Sequence, residues 1–153
     1  MVGHSNGAFM SHRMACEHSD VLAGIITFSG VMWDKKEMCN PTKPVHVLHV
    51  HGTNDGTISY NGGFIGMNPY PSAVQTVDDW MIFNGCTPGS LKSSGPAMDL
   101  IPDIEGNETD PFQASGCRAD VSHWRMNGAV HTPILYPTIA NQIIDYINSH
   151  PKV

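Results

Sequence analysis

The pentapeptide Gly3-His4-Ser5-Asn6-Gly7 is the segment of this chain whose residue types and spacing could most directly do chemistry. It is a G-x-S-x-G sequence between a short apolar stretch (Met1-Val2) and residues 8–18, which can form a helix. A serine on a sharp strand-to-helix turn presents its hydroxyl to solvent, and the helix N-terminus stabilises negative charge that develops beside it. The alternative is a glycine-rich turn with a capping serine. The context favours a nucleophile.

A serine nucleophile needs a base that takes its proton, and the base needs a third group that holds its tautomer. Where G-x-S-x-G occurs on a strand–turn–helix unit, the acid and then the base follow the serine, each after a later strand. Asp55 follows the β-branched stretch 45–50, and His131 follows the stretch 121–126. We therefore predict Ser5 as nucleophile, His131 as base and Asp55 as the orienting acid. The backbone N–H of Asn6 is the predicted oxyanion donor.

Other carboxylates compete for the role of the acid. Two of them lie on a predicted helix and are expected to be solvated, and three lie in an irregular segment and stay open as alternatives. In chain order these are Asp78 and Asp79, then Asp99, Asp103 and Asp110.

The other histidines have more ordinary interpretations. His4 lies beside the nucleophile and is predicted to line the acyl pocket, whereas His123 and His150 are expected to be structural. His49 and His51 lie on one face of a strand, as two metal ligands can. No third candidate ligand lies at a sequence spacing typical of a metal site, so neither a metal nor another cofactor is predicted.

Strand and helix patterns alternate along the chain. Strands are predicted at 22–28, 45–50 and 121–126, and helices at 8–18, 73–83 and 135–148, with a loop at 52–71 and an irregular arm at 86–118. This alternation predicts an α/β fold with a small, mostly parallel sheet and crossover helices. Because parallel strands end at one edge of the sheet, the three predicted catalytic residues should converge there.

The composition excludes several classes of protein. A net charge of −6 without a Lys/Arg cluster argues against binding to nucleic acid or to anionic membranes. Apolar runs are far shorter than the ~20 residues that span a bilayer, and no signal-peptide pattern stands at Met1. With 153 residues, the chain is expected to form one domain over 1–153.

Four cysteines form no C-x-x-C pair, which argues against a zinc cluster. They are Cys16, Cys39, Cys86 and Cys117. Two disulfides with any of three pairings are possible, and buried free thiols of a cytosolic protein are the alternative.

Several segments resemble the esterase family of poly(3-hydroxybutyrate) depolymerases and feruloyl or acetylxylan esterases, which are α/β-hydrolases. They cover most of residues 1–63 and scattered later blocks. The matching pieces are 3–10 with Cys16-Glu17, Pro44–Asp55, Tyr60–Gly63, Trp80, Asn84-Gly85-Cys86 and Gly128–His131. Family members carry more than a hundred residues before the nucleophile, so the chain resembles a truncated hydrolase domain that lacks one oxyanion donor.

The resemblance implies a serine esterase for short-chain acyl esters, with the family's nucleophile, acid and base at Ser5, Asp55 and His131. It pairs Cys86 with Cys117 and leaves Cys16 for Cys39, and it implies a secreted or periplasmic protein. Substrate contacts are expected from His4 and Tyr60. The family's aromatic-Pro pair after the base is altered to Thr132-Pro133 here.

Two other functions are compatible with the sequence. One is a non-catalytic remnant of a hydrolase without a working oxyanion hole. The other is a binding module for polyester or plant polymers, with stacking surfaces provided by Trp33, Tyr60, Tyr70 and Trp124. A truncated sheet would also leave an apolar edge near strand 22–28, so we expect a homo-oligomer.

Overall fold

A computed structural model describes all residues from 1 to 153. The strands are β1 (Val2–His4), β2 (Gly24–Phe28), β3 (His46–Gly52), β4 (Gly63–Ile65), β5 (Asn68–Tyr70), β6 (Lys92–Ser93), β7 (Thr109–Gln113) and β8 (Val121–Met126). The α-helices are α1 (Asn6–Glu17), α2 (Ala73–Phe83) and α3 (Thr138–Ser149), and a short 3₁₀ helix covers Lys36–Met38.

Six of these strands form one mixed sheet in the order β1-β2-β3-β8-β7-β6. The first four are parallel, with helices in the connections, whereas β7 and β6 extend the sheet in antiparallel directions. The prediction of an α/β fold is confirmed. The parallel part positions the site, because β1, β3 and β8 all end at the same edge.

Two segments predicted as irregular contain strands. The arm at 86–118 contributes β6 and β7, and the loop at 52–71 contains the hairpin of β4 and β5. Local patterns could not show this. Strand β6 has only two residues, and β7 includes Asp110 and Pro111, residue types that are depleted in strands.

The sheet is covered on both faces, as the alternation of buried residues in β2 and β3 requires. Ile25 and Val47 pack on one face with Trp80 of α2, whose side chain is fully buried. Ile26 and Leu48 point to the other face, where α3 packs through its partly buried side chains. The result is a three-layer arrangement of helices, sheet and helix.

Both disulfides implied by the family resemblance are present. Cys16 is bonded to Cys39, and Cys86 is bonded to Cys117, so no thiol is free. Paired cysteines fit an oxidising compartment. None of the helices has the length and apolar character needed to cross a bilayer.

The bond between Cys86 and Cys117 joins the end of α2 to the segment before β8. It closes a sequence separation of 31 residues. Constraining the unfolded chain in this way stabilises a fold by about 3–4 kcal/mol. We expect the double variant Cys86→Ala/Cys117→Ala to unfold at a clearly lower urea concentration, measured by tryptophan fluorescence. A midpoint equal to that of the parent protein would contradict this role.

Candidate active site

Ser5 occupies the turn between β1 and α1 in a strained backbone conformation. Its φ is 54° and its ψ is −120°, a region that few non-glycine residues adopt. Hydrogen bonds fix the turn on both sides: the N–H of Ser5 donates to the carbonyl of Phe28 at 2.9 Å, and the N–H of Ala8 donates to the carbonyl of Ser5 at 2.9 Å. The tight turn therefore holds the hydroxyl at the edge of the sheet.

Gly3 allows this turn because β1 and α1 nearly touch there. A Cβ atom at Gly3 would lie 2.2 Å from the carbonyl oxygen of Gly7, closer than any side chain permits. A Cβ atom at Gly7 would meet nothing within 4 Å. The sequence motif suggests that both glycines are needed for the close approach, but the structure shows this need only at Gly3.

The loops that carry Asp55 and His131 follow two neighbouring parallel strands, β3 and β8. They are held together at Gly52, where a Cβ atom would lie 2.3 Å from the carbonyl oxygen of Ala129. The N–H of Asn54 also donates to that carbonyl oxygen at 3.0 Å. The two loops therefore reach the site as one unit.

Ser5, His131 and Asp55 form a continuous chain of hydrogen bonds. The Nδ1–H of His131 donates to Oδ2 of Asp55 at 2.8 Å, and the hydroxyl of Ser5 lies 2.9 Å from Nε2 of His131. Because an ionised carboxylate only accepts, the proton of a neutral imidazole is on Nδ1, and Nε2 is free to accept from the serine. The carboxyl group of Asp55 is buried, whereas 18% of the His131 side chain is exposed.

Asp55 is held as an anion by its neighbours. Burial alone would raise the pKa of this carboxyl group, but hydrogen bonds from His131 and from the backbone N–H groups of Ile58 and Thr57 outweigh burial, and the pKa is lowered. Both backbone bonds reach Oδ1 at 2.8 Å, which leaves Oδ2 for His131. The carboxylate is thus both charged and oriented.

Four further histidines lie behind this chain in a group that we name the histidine cluster. Its members are His12, His49, His51 and His123. All four are buried: His49 and His51 have no exposed surface, and His12 and His123 are 1% and 3% exposed. Burial is the main cause that lowers the pKa of each, to about 3 for His12 and about 4 for His123. The sequence showed the pair His49 and His51, but only the fold brings His12 and His123 to it.

The histidine cluster predicts a fold that loses stability in acid. In the unfolded chain these side chains take up protons below a pH of about 6.5, whereas in the fold they stay neutral to much lower pH. Stability is therefore fully present above about pH 6.5 and falls below it, by about 2 kcal/mol per deeply buried histidine at about pH 5. The urea concentration at the midpoint of unfolding, measured at several pH values from about 6.5 down to about 5, tests this prediction.

The variant His123→Phe should flatten that dependence, because it removes one buried group that protonates on unfolding. The exposed His18 lies on the surface at the end of α1, and His18→Gln provides the matched control. Equal midpoints for the parent protein at neutral pH and in mild acid would contradict the prediction.

The two residues predicted to contact substrate have different positions. His4 is exposed beside His131, and its Nε2 lies 2.9 Å from the His131 carbonyl oxygen. It borders a groove of about 260 Å³ together with Ser29, Thr132 and apolar side chains. Tyr60 does not border this groove: its hydroxyl lies 2.9 Å from Nε2 of His123, and its ring packs on the histidine cluster.

The competing carboxylates do not contact His131. Asp110 pairs with Arg125 at 2.8 Å, and Asp79, expected to be solvated, is buried and pairs with Lys36 at 3.2 Å. Sequence periodicity could not reveal that burial, because Lys36 reaches Asp79 from another part of the chain.

The aromatic residues considered as stacking surfaces do not share one surface role. Tyr70 is buried, and its hydroxyl accepts the N–H of Ser59 at 2.9 Å. About half of the Trp33 side chain is exposed, whereas Tyr60 contacts His123 of the histidine cluster. Trp33 and Tyr70 line one groove of about 450 Å³, but Tyr60 packs on the histidine cluster and Trp124 is partly buried against the core on the α3 side of the sheet. The four residues therefore do not form one polymer-binding platform.

The fold and site thus define an α/β protein with a serine, a histidine and an aspartate aligned at the carboxyl edge of its sheet. No protein-family model matches the chain. It is 27% identical over 139 residues to feruloyl esterase B of Piromyces equi, a match covering 84% of this chain and 24% of that protein. It is 33% identical over 142 residues to the protein named "Putative esterase NocK" of Nocardia uniformis subsp. tsuyamanensis, covering 86% and 41%.

These matches make the chain a distant relative of proteins named as esterases. They support ester hydrolysis in general terms. The chain spans less than half the length of either relative.

Proposed function

We propose that this chain hydrolyses short-chain acyl esters with Ser5 as nucleophile, His131 as general base and acid, and Asp55 as the group that orients His131. The observation that carries the proposal is the chain of hydrogen bonds from Ser5 through His131 to Asp55, at 2.9 and 2.8 Å. The relationship to proteins named as esterases supports the same reaction class. The chemistry requires neither a metal nor an organic cofactor.

The reaction begins when the Ser5 oxygen attacks the carbonyl carbon of the ester and its proton passes to Nε2 of His131. Negative charge then develops on the carbonyl oxygen. Asn6 is the first residue of α1, so its N–H has no acceptor within the helix and can donate to this oxygen. Asp55 stabilises the imidazolium that forms.

His131 then gives the proton to the departing alkoxide, which leaves as an alcohol, and an acyl-serine remains. A water molecule attacks the acyl group while His131 removes a proton from it. The second tetrahedral intermediate collapses, the carboxylic acid is released, and Ser5 regains its proton.

We assign the acyl group to the groove beside His4, because His4 and Thr132, which line it, are the chain neighbours of Ser5 and His131. Its volume is about 260 Å³, and Phe28, Val50 and Met126 are among its apolar lining residues. A short acyl chain can bury itself there, whereas a long chain would extend into solvent. We further assign the protein to an oxidising compartment, secreted or periplasmic, on the basis of its two disulfides.

A fluorophosphonate probe combined with a series of p-nitrophenyl esters tests the proposal. The probe should label Ser5 in the folded protein and leave the urea-unfolded protein unlabelled, because only an activated serine reacts. Turnover should be highest for acetate or butyrate and fall towards palmitate. A folded chain that the probe ignores would support a non-catalytic remnant instead, and turnover that rises towards palmitate would refute the short-chain assignment.

We also propose that two or more chains associate along β1. This strand is at the edge of the sheet, has one hydrogen-bonded neighbour, and leaves Val2 52% exposed. The unpaired backbone groups of this edge, together with the exposed side chain of Val2, can pair with a second copy of the chain. Light scattering after size exclusion should give a multiple of 16.6 kDa, and an active monomer of that mass would refute the association.

A further inference from the structure

His51 is completely buried directly behind Asp55, and its hydrogen bonds fix where its protons are. Its Nε2 lies 2.8 Å from the carbonyl oxygen of Ile58. A carbonyl oxygen only accepts, so Nε2 of His51 carries the hydrogen. The same nitrogen lies 3.3 Å from Oδ2 of Asp55, which places the positive edge of the ring against the carboxylate.

The rest of the chain of contacts follows from this assignment. Burial lowers the pKa of His51, so the ring is neutral and its Nδ1 is an acceptor. Nε2 of His49 lies 3.3 Å away and must donate to that Nδ1. Nδ1 of His49 therefore accepts the hydroxyl hydrogen of Thr27, at 3.0 Å. Every group in the series has one role, and the series ends at Asp55.

Ile58 links His51 to the carboxylate a second time. Its carbonyl accepts from His51, while its N–H donates to Oδ1 of Asp55 at 2.8 Å. One peptide segment is therefore held between the histidine and the carboxylate. Movement of His51 would release both the segment and the carboxylate that it supports.

We propose that His51 is a positioning residue for Asp55, held in one tautomer by His49 and Thr27, and that it sets the orientation of the carboxylate towards His131. The inference rests on the ester hydrolysis proposed above. His51 does not touch the substrate. It acts by keeping Oδ2 of Asp55 directed at Nδ1–H of His131, which carries the positive charge when the transition state forms.

Several ionisable groups surround His51 and bear on any pH profile. They are His12 on α1, His49 on β3, His123 and Arg125 on β8, and Asp55, Tyr60 and His131 in the loops. Of these, Asp55 and His131 belong to the reacting chain. The dipole of the His51 N–H withdraws part of the Asp55 charge from His131.

Three variants separate positioning from a merely structural role. His51→Phe removes both ring nitrogens, whereas His51→Gln retains an N–H near the position of Nε2. His123→Phe is the matched control, because His123 is a buried member of the histidine cluster whose ring nitrogens contact Tyr60 and the His49 carbonyl and not Asp55.

We expect His51→Phe to lower kcat by about 10–100-fold, with KM changed by less than about threefold, because small misplacements of a catalytic group have effects of this size. His51→Gln should restore most of kcat, and His123→Phe should keep the kcat of the parent protein. Equal losses of kcat in His51→Phe and His123→Phe, or a His51→Gln variant no more active than His51→Phe, would overturn the proposal.

A measurement on the unmodified protein guards against variants that fail to fold. ¹⁵N NMR of its histidine rings should show His49 and His51 protonated at Nε2 and His123 protonated at Nδ1. The opposite tautomer at His51 would overturn the assignment. Failure of the esterase proposal is recognised separately, because the unmodified protein would then neither turn over esters nor react with the fluorophosphonate probe.

Discussion

Ser5→Ala should lower kcat for p-nitrophenyl acetate by about 10⁴–10⁶-fold and leave KM nearly unchanged. The hydroxyl of Ser5 is the only group of the residue that reaches Nε2 of His131, at 2.9 Å. Without it no acyl-serine forms, and His131 can at best activate water. The alanine side chain fills less space than serine, so substrate should still enter. Steady-state kinetics and the loss of fluorophosphonate labelling are the measurements.

Ser11→Ala is the matched control for this experiment. Ser11 lies on the same helix, and its hydroxyl donates to the carbonyl of Gly7 at 2.8 Å, away from His131. We expect its kcat to stay close to that of the parent protein. If Ser5→Ala retains near-parental turnover, Ser5 is not the nucleophile and the mechanism proposed above is wrong.

Asp55→Asn should lower kcat by about 10⁴-fold at neutral pH, because an amide at this position favours the wrong tautomer of the base. Oδ1 of the new side chain can still accept the N–H groups of Thr57 and Ile58, which directs the NH₂ group towards Nδ1 of His131. That nitrogen must then accept, so the hydrogen of His131 moves to Nε2. A protonated Nε2 cannot take the proton of Ser5.

Asp110→Asn provides the comparison, since Asp110 was one of the alternatives for the acid. It bonds to Arg125 and Asn127, each at 2.8 Å, at the surface of the sheet. Its kcat should remain within a small factor of that of the parent protein. A larger loss in Asp110→Asn than in Asp55→Asn would show that Asp110, and not Asp55, is the acid. The measurement is kcat/KM of both variants at neutral pH.

The sequence predicted the parts of the fold and site that obey local rules. Helix α2 and strand β8 have the bounds expected from their apolar patterns. The convergence of Ser5, Asp55 and His131 followed from one general property, that parallel strands end at the same edge of a sheet. Each residue needed only to be placed after its strand.

Features that depend on distant contacts could not be predicted in this way. The histidine cluster needs His12 from α1 and His123 from β8 beside His49 and His51, and no spacing in the chain expresses that proximity. Strand β7 pairs with β8 although Asp110 and Pro111 disfavour a strand, because tertiary pairing outweighs local propensity. Tyr60 packs on this cluster because the fold brings the loop after β3 against His123 of β8, which no local pattern expresses.

The contact between Ser5 and His131 joins residues that are 126 positions apart in the chain. Ribosomes add residues in order, so a growing chain contains Ser5 long before His131 has been added. Strands β2, β3 and β8 must all be in place before the two side chains meet. Under the proposed mechanism, the onset of ester turnover in a refolding or translation reaction would mark completion of the parallel sheet. Two separately expressed fragments divided between Asp55 and His131 would regain turnover only on reassembly, as a split reporter does.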